Sequence, residues 1–208
     1  GGIAWRPIRQ LGFRVEVERS GASSAFYRIE PTSFLRWRFR GEARPSKQWT
    51  LSANSIITKN QNNSVSIIHN FKDRQMGLNF TYLRTASLLL SGGYQFLRIH
   101  SDRNILFFRL FELTQGRSIY QSEIHLGYAQ LLLPVGSRLQ LRIGYQLIRN
   151  QGLSFPLKRE TSRPGLSFFF FKGLHWESDW RHISYNQTEK SGQNYRVNLV
   201  TTGLKWLY

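Results

Sequence analysis

Hydrophobic and polar positions alternate with a period of two along most of this chain. From Leu11 to Glu18 the odd positions are Leu11, Phe13, Val15 and Val17, and the even ones are Gly12, Arg14, Glu16 and Glu18. Such a segment makes a strand with one oily and one charged face. The pattern is stronger where Leu35, Trp37, Phe39, Gly41 and Ala43 alternate with Arg36, Arg38, Arg40, Glu42 and Arg44. It returns in Trp49 to Ile57, Met76 to Tyr82, and Leu139 to Leu147, and none of these windows has the 3.6-residue spacing of a helix. Eleven strands are predicted, near 2–7, 10–20, 34–44, 48–59, 74–84, 87–100, 119–133, 137–149, 164–172, 174–186 and 194–208.

The connections alternate in length. Residues 6–9, 44–47, 84–85, 134–136 and 172–173 read as tight turns, whereas 21–33, 60–73, 101–120, 150–164 and 187–194 are longer and rich in Asn, Ser, Gly and charge. Short turns at one end and long loops at the other are the layout of a transmembrane barrel. The expected fold is therefore all-β: one antiparallel up-and-down transmembrane β-barrel domain over 1–208, with about 10 to 12 strands and a weak hairpin repeat of roughly 40 residues. Eleven is odd, and bacterial single-chain barrels have even numbers. Either Asn104 to Glu112 hides a strand, or earlier strands precede Gly1; the strand-like opening Gly2-Ile3-Ala4-Trp5-Arg6 favours the second, a C-terminal portion of a larger barrel.

Composition sharpens this picture. The 208 residues include 15 Phe, 9 Tyr and 6 Trp, yet the mean hydropathy is −0.39. Apolar residues must therefore be interleaved with polar ones. The longest notable apolar runs, Leu88–Leu90 and Phe168–Phe171, fall far short of the roughly 18 residues a spanning helix needs. No charged n-region precedes an apolar stretch at the start, so any signal peptide is already removed or the start is that of a fragment. Strands of about 9 to 14 residues suit a tilted bilayer crossing better than the soluble mean of about 5 to 6. Trp5, Trp49, Tyr82, Trp176, Trp206 and Tyr208 lie near short turns or the chain end, where an interfacial girdle would sit.

Charge raises a competing partner. With 29 Lys+Arg against 12 Asp+Glu the formal net charge is +17, which in a soluble all-β domain would suggest nucleic acid. Single-strand binding needs aromatics beside the cations on one face, whereas here they alternate onto opposite faces, so no nucleic-acid partner is expected. With no Cys and no metal-ligand spacing among His69, His100, His125 and His175, neither a metal nor a cofactor is expected. Gly92-Gly93, inside a strand, reads as a bulge or a close backbone approach.

The last seven residues, Thr202-Gly203-Leu204-Lys205-Trp206-Leu207-Tyr208, resemble the C-terminal targeting signal of outer-membrane barrels, polar-Gly-x-x-Φ-x-Φ, with Thr202, Gly203, Trp206 and Tyr208 in the defining positions. The resemblance implies a bacterial outer-membrane location and recognition by the barrel-assembly machinery. In that geometry Val200, Thr202, Leu204, Trp206 and Tyr208 face lipid, while Thr201, Gly203, Lys205 and Leu207 face inward. Gly2-Ile3-Ala4-Trp5-Arg6-Pro7 followed by Leu11-Gly12-Phe13-Arg14-Val15 is similar to uncharacterised outer-membrane barrels of acidobacterial type.

If the apolar face meets lipid, Arg14, Glu16, Arg36, Arg38, Arg40, Glu42, Arg138, Arg142, Glu177, Asp179, Arg181 and Lys205 line the lumen. In a wide barrel this excess of cations favours anion passage. In a narrow one the same groups fill the interior as an ion-pair network. The expected function is a passive, porin-like pore or a sheath for a partner subunit, with lipid and lipopolysaccharide as surroundings and Lys72, Arg74 and Arg103 as loop cations facing phosphates. An enzymatic alternative rests on His182-Ile183-Ser184, which resembles the H-x-S-N motif of outer-membrane lipid esterases; Tyr185 replaces the Asn, and Glu189 is the nearest acid.

Overall fold

The computed structural model describes residues 1–21, 32–62, 68–85, 88–109, 112–171, 173–187 and 194–206. They form eleven strands: β1 (Gly2–Ile8), β2 (Leu11–Gly21), β3 (Ser33–Ala43), β4 (Trp49–Asn62), β5 (His69–Thr85), β6 (Leu88–Arg109), β7 (Glu112–Val135), β8 (Leu139–Asn150), β9 (Leu157–Phe171), β10 (Leu174–Gln187) and β11 (Tyr195–Trp206). Each pairs antiparallel with its sequence neighbours in a single sheet ordered β1 to β11. The sheet is not closed, since β1 and β11 do not pair with each other. The up-and-down all-β fold thus agrees with the alternation, while barrel closure is a further step.

Several connections differ from expectation. The stretch 101–120 is not a long loop: β6 and β7 run on as a hairpin, pairing Asp102 with Ile119 and Arg109 with Glu112. Asn104 to Glu112 therefore hides no separate strand. Likewise β4 extends to Asn62, β5 starts at His69 and β9 at Leu157. Lys72, Arg74 and Arg103 consequently lie on strands, not loops. These extensions share the lack of a two-residue period: Asn60–Asn62 and Lys158–Arg163 are polar at successive positions, while Ile105 to Phe108 is an unbroken apolar run.

Directly opposed residues of an antiparallel pair share a face, so the register sorts the whole sheet. One face carries Val15 opposite Phe39, Trp37 opposite Ile57, Leu51 opposite Phe80, Leu78 opposite Tyr94, Leu131 opposite Ile143, and Trp180 opposite Val200. The other carries Glu16 opposite Arg38, Ser52 opposite Asn79, and Asp179 opposite Thr201. The described residues form no second layer over either face. Among the described residues no hydrophobic side chain is buried, and those that are buried are polar, Ser122, Ser167, Thr58 and Asp73 among them.

The apolar face has an aromatic margin toward the short turns, where Trp49 packs on Tyr82 at 4.8 Å, Trp5 on Phe13 at 6.0 Å, and Trp206 on Phe171 at 5.7 Å. In Phe168–Phe171 a bulge between Leu174 and His175 of the partner strand lets Phe171 join Trp206 on that face. Two of the tight turns contain Gly136 and Gly173, whose positive φ of 74° and 92° glycine adopts without a Cβ penalty.

Toward the long loops the apolar face ends at cations: Arg19, Lys59, Arg74, Arg98, Arg149, Lys158 and Arg196. Three strands show an interval of ten residues from the first apolar position to the first cation, Trp49 to Lys59, Leu139 to Arg149 and Trp206 to Arg196, and two an interval of eight, Leu11 to Arg19 and Tyr82 to Arg74.

Candidate functional site: the charged face of the sheet

The polar face is built by strands whose even or odd positions all point one way, so its chemistry follows from register. On β2 and β3, Arg14 lies opposite Arg40, Glu16 opposite Arg38, and Glu18 opposite Arg36. Glu16 accepts Arg14 at 2.6 Å and Arg38 at 3.5 Å, and Glu18 meets Arg36 at 3.5 Å and Arg38 at 3.7 Å. Arg36 also stacks on Phe34, its guanidinium carbon 4.7 Å from the ring centre. Glu42 is held by Arg44 at 2.6 Å. Gly2, Ala4, Arg14, Glu16, Arg36 and Arg38 line an open cleft of about 730 Å³.

A second network spans β8 to β11. Glu177 meets Lys205 at 2.5 Å, His175 at 3.3 Å and Arg142 at 3.8 Å, while Asp179 meets Arg142 at 3.4 Å and Arg163 at 3.6 Å. Arg159 and Arg181 line an adjoining cleft of about 450 Å³ with Arg142, Arg163 and Asp179. Arg40, Arg159 and Arg181 have no carboxylate partner among the described residues. The face therefore keeps uncompensated positive charge after its ion pairs are made.

Between the two networks the face carries mainly uncharged side chains, Asp73 and Arg103 apart. Asn54 lies over Gly77 and Asn79 over Gly93, each directly across the strand pair, and Asp179 lies over Gly165 in the same way. Tyr128 crosses Gly93 and donates its hydroxyl to Asn79 at 2.9 Å. Of the two readings of Gly92-Gly93, close packing is correct: the register there is regular, and a Cβ on Gly92 would meet Phe80 at 2.8 Å.

Of the predicted lumen residues, Arg14, Glu16, Arg36, Arg38, Arg40, Glu42, Arg142, Glu177, Asp179, Arg181 and Lys205 share this one face. Arg138 instead occupies the turn between β7 and β8, where its carbonyl accepts the Phe169 amide at 2.8 Å. Arg159 and Arg163 escaped prediction, whereas Glu18 stands on the charged face its alternation gave it. The two arginines sit where Lys158, Glu160 and Ser162 alternate with them, and a segment polar on both faces carries no period. Thr202 and Trp206 share the apolar face and Gly203 the polar one, as expected, with Trp176 donating its indole N–H to Thr202 at 2.7 Å. Leu207, Tyr208 and Glu189 lie outside the described residues.

His182 and Ser184 share the apolar face, opposite Asn198 and Arg196. His182 Nδ1 pairs with Asn198 Oδ1 at 2.7 Å, and no hydrogen bond joins His182 to Ser184 among the described residues. A base and a nucleophile are thus neighbours along the strand without being engaged. No group of three or more His, Cys, Asp or Glu suited to a metal ion occurs among the described residues.

Beyond the band, the extended β6–β7 hairpin is clamped by Arg117, which donates to both oxygens of Asp102 at 2.8 and 2.6 Å. These hydrogen bonds hold the Asp102 carboxyl below its ordinary value, against a smaller opposing effect of desolvation, and raise the Arg117 guanidinium. No protein-family model matches this chain, and no curated protein sequence does so either.

Proposed function

We propose that this chain forms the wall of a bacterial outer-membrane β-barrel, its apolar face against lipid and its charged face lining a water-filled conduit that favours anions. One observation carries the reading: the sheet is inside-out. Large apolar residues stand exposed, Val200 at 71% and Leu204 at 66%, while the buried side chains are polar. Leaving such residues in water forgoes roughly 1.5–3 kcal/mol each, which a hydrocarbon solvent restores.

The height of the apolar band supports the same solvent. Eight to ten residues at about 3.3 Å each give about 26–33 Å along the strand, and a tilt of about 40° reduces this to about 20–25 Å, close to the roughly 25 Å apolar height of outer-membrane barrels. Aromatics at one margin and cations at the other suit the two interfaces. Anion preference follows from Arg40, Arg159 and Arg181, which stand without carboxylate partners among the described residues on the face that would meet water.

Detergent dependence and conductance test this together. The chain should aggregate in plain buffer, fold in detergent or vesicles, and give single-channel currents whose reversal potential in a salt gradient favours the anion. A monodisperse, folded chain in detergent-free buffer overturns the membrane assignment. Correct insertion without current overturns the conduit.

A further inference from the structure

On the apolar face, just beyond the band, the register sets cations against cations. Lys59 of β4 lies opposite Lys72 of β5, which lies opposite His100 of β6. One pleat closer to the band, Arg74 lies opposite Arg98. Directly opposed side chains on one face are about 4.5–5.5 Å apart at Cβ, and like charges so placed destabilise a sheet. Two such pairs in succession form a block of four cations across three strands, about 10 Å wide at roughly 4.8 Å per strand.

The protein does little to neutralise this block. Arg98 reaches Glu123 only at 3.8 Å, and Glu123 is shared with His125. Asp102, also on this face, is taken by Arg117 at 2.6 Å. Asp73 sits between Lys72 and Arg74 in sequence but points to the opposite face, across from Thr58. Lys59, Lys72 and Arg74 have no carboxylate partner among the described residues. An external anion would relieve the repulsion.

What lies beneath the cations identifies its chemistry. The same columns continue directly into Ile57 on β4, Met76 and Leu78 on β5, and Phe96 and Tyr94 on β6. An anion here would sit at the edge of an apolar surface, which suits a headgroup with acyl chains attached better than a free ion. Four cations exceed the charge of a single phosphodiester. We propose that Lys59, Lys72, Arg74 and Arg98 form an exterior binding site for a lipid with more than one phosphate on its headgroup, the chemistry of lipopolysaccharide, with its chains lying on Ile57, Met76 and Phe96. The proposal rests on the reading that this face meets lipid, and the long-loop end of a barrel is the outer-leaflet end.

The test uses the full chain in phosphatidylcholine vesicles with and without lipid A, the diphosphorylated lipid anchor. Flotation scores insertion first: a chain that floats with neither membrane overturns the barrel and the site together. In inserted protein, Lys72→Gln/Arg74→Gln should weaken lipid A binding about fivefold per cation removed, whereas Arg36→Gln on the opposite face should not. Dephosphorylated lipid A should fail to bind. Stability supplies a readout of opposite signs: the double variant should melt higher than wild type in phosphatidylcholine, where only repulsion is removed, and lower in lipid A membranes. Equal binding by wild type and double variant, equal binding of the dephosphorylated lipid, or displacement by inorganic phosphate at the same affinity as lipid A overturns the site while leaving the barrel standing.

Discussion

The Asn150 carboxamide accepts the Ser122 hydroxyl at 3.0 Å across the β7–β8 boundary, at the last pair where those strands still meet. The same oxygen takes the Glu123 and Gly152 amides at 3.1 Å each, and its nitrogen donates to the carbonyls of Ser154 at 3.0 Å and Phe155 at 2.9 Å. Residues 151–156 thereby fold back along the edge of β7 that β8 no longer covers, with Gln151 donating to Glu123 and Ser154 to Gln121. Asn150→Ala strands several of these groups and should cost about 1–3 kcal/mol, with faster proteolysis near Ser154. Asn150→Asp keeps the acceptor but sets a carboxylate oxygen against the Ser154 and Phe155 carbonyls, so its loss should be at least as large, as read by denaturant unfolding in detergent.

Gly93 carries both Tyr128 and Asn79 against its backbone. Gly93→Ala should therefore expel one of them, break the Tyr128–Asn79 hydrogen bond and lower the melting temperature. Pairing it with Asn79→Ala, which removes one obstructing side chain, should recover part of the loss in a double-mutant cycle.

Opposite faces predict opposite tolerance on neighbouring residues. Val200→Lys places a charge near the middle of the apolar band and should cost about 2–4 kcal/mol of folding stability in vesicles. Thr201→Lys, one residue on but across the sheet beside Asp179, should stay within about 0.5 kcal/mol. Equal costs at the two positions would remove the facing assigned to β11.

The strands were legible because alternation is local: Arg36 to Arg44 announces its face without reference to any other strand. What was illegible depends on register. Nothing in the sequence says that Lys59 meets Lys72, that Asn79 covers Gly93, or that Arg117 reaches Asp102, because each pairing is fixed by hairpin geometry many residues away. The extended β6–β7 hairpin was missed for a related reason. Ile105 to Phe108 is apolar at every position and Thr114 to Ser118 carries no apolar side chain, so the period vanishes while the strand continues.

Charge on the polar face should set ion preference. Replacing Arg36, Arg38 and Arg40 together by Glu reverses one flank, and the reversal potential in a salt gradient should move toward cation preference. Arg19→Glu, on the other face, should leave it unchanged.

Acid should open the long hairpin from its tip. Asp102 has a lowered pKa in the folded chain, so its stabilising contribution is fully present above the ordinary carboxylate value of about 3.9 and is lost as pH falls through the lowered value. Amide exchange in 101–118 should be flat from pH 7 to about 4 once corrected for intrinsic rates, then accelerate. Asp102→Asn should show the fast rate throughout.

The two free edges impose a rule of direction. Each antiparallel step reverses the chain, so after ten reversals β11 heads the same way as β1. Joined directly, those edges could make only a parallel seam, with slanted and slightly weaker hydrogen bonds. A ring that is antiparallel throughout must place an odd number of further strands between them, whatever chain supplies them. The edges β1 and β11 are thus not interchangeable sticky ends, because each accepts in that arrangement only a neighbour running from the short turns toward the long loops.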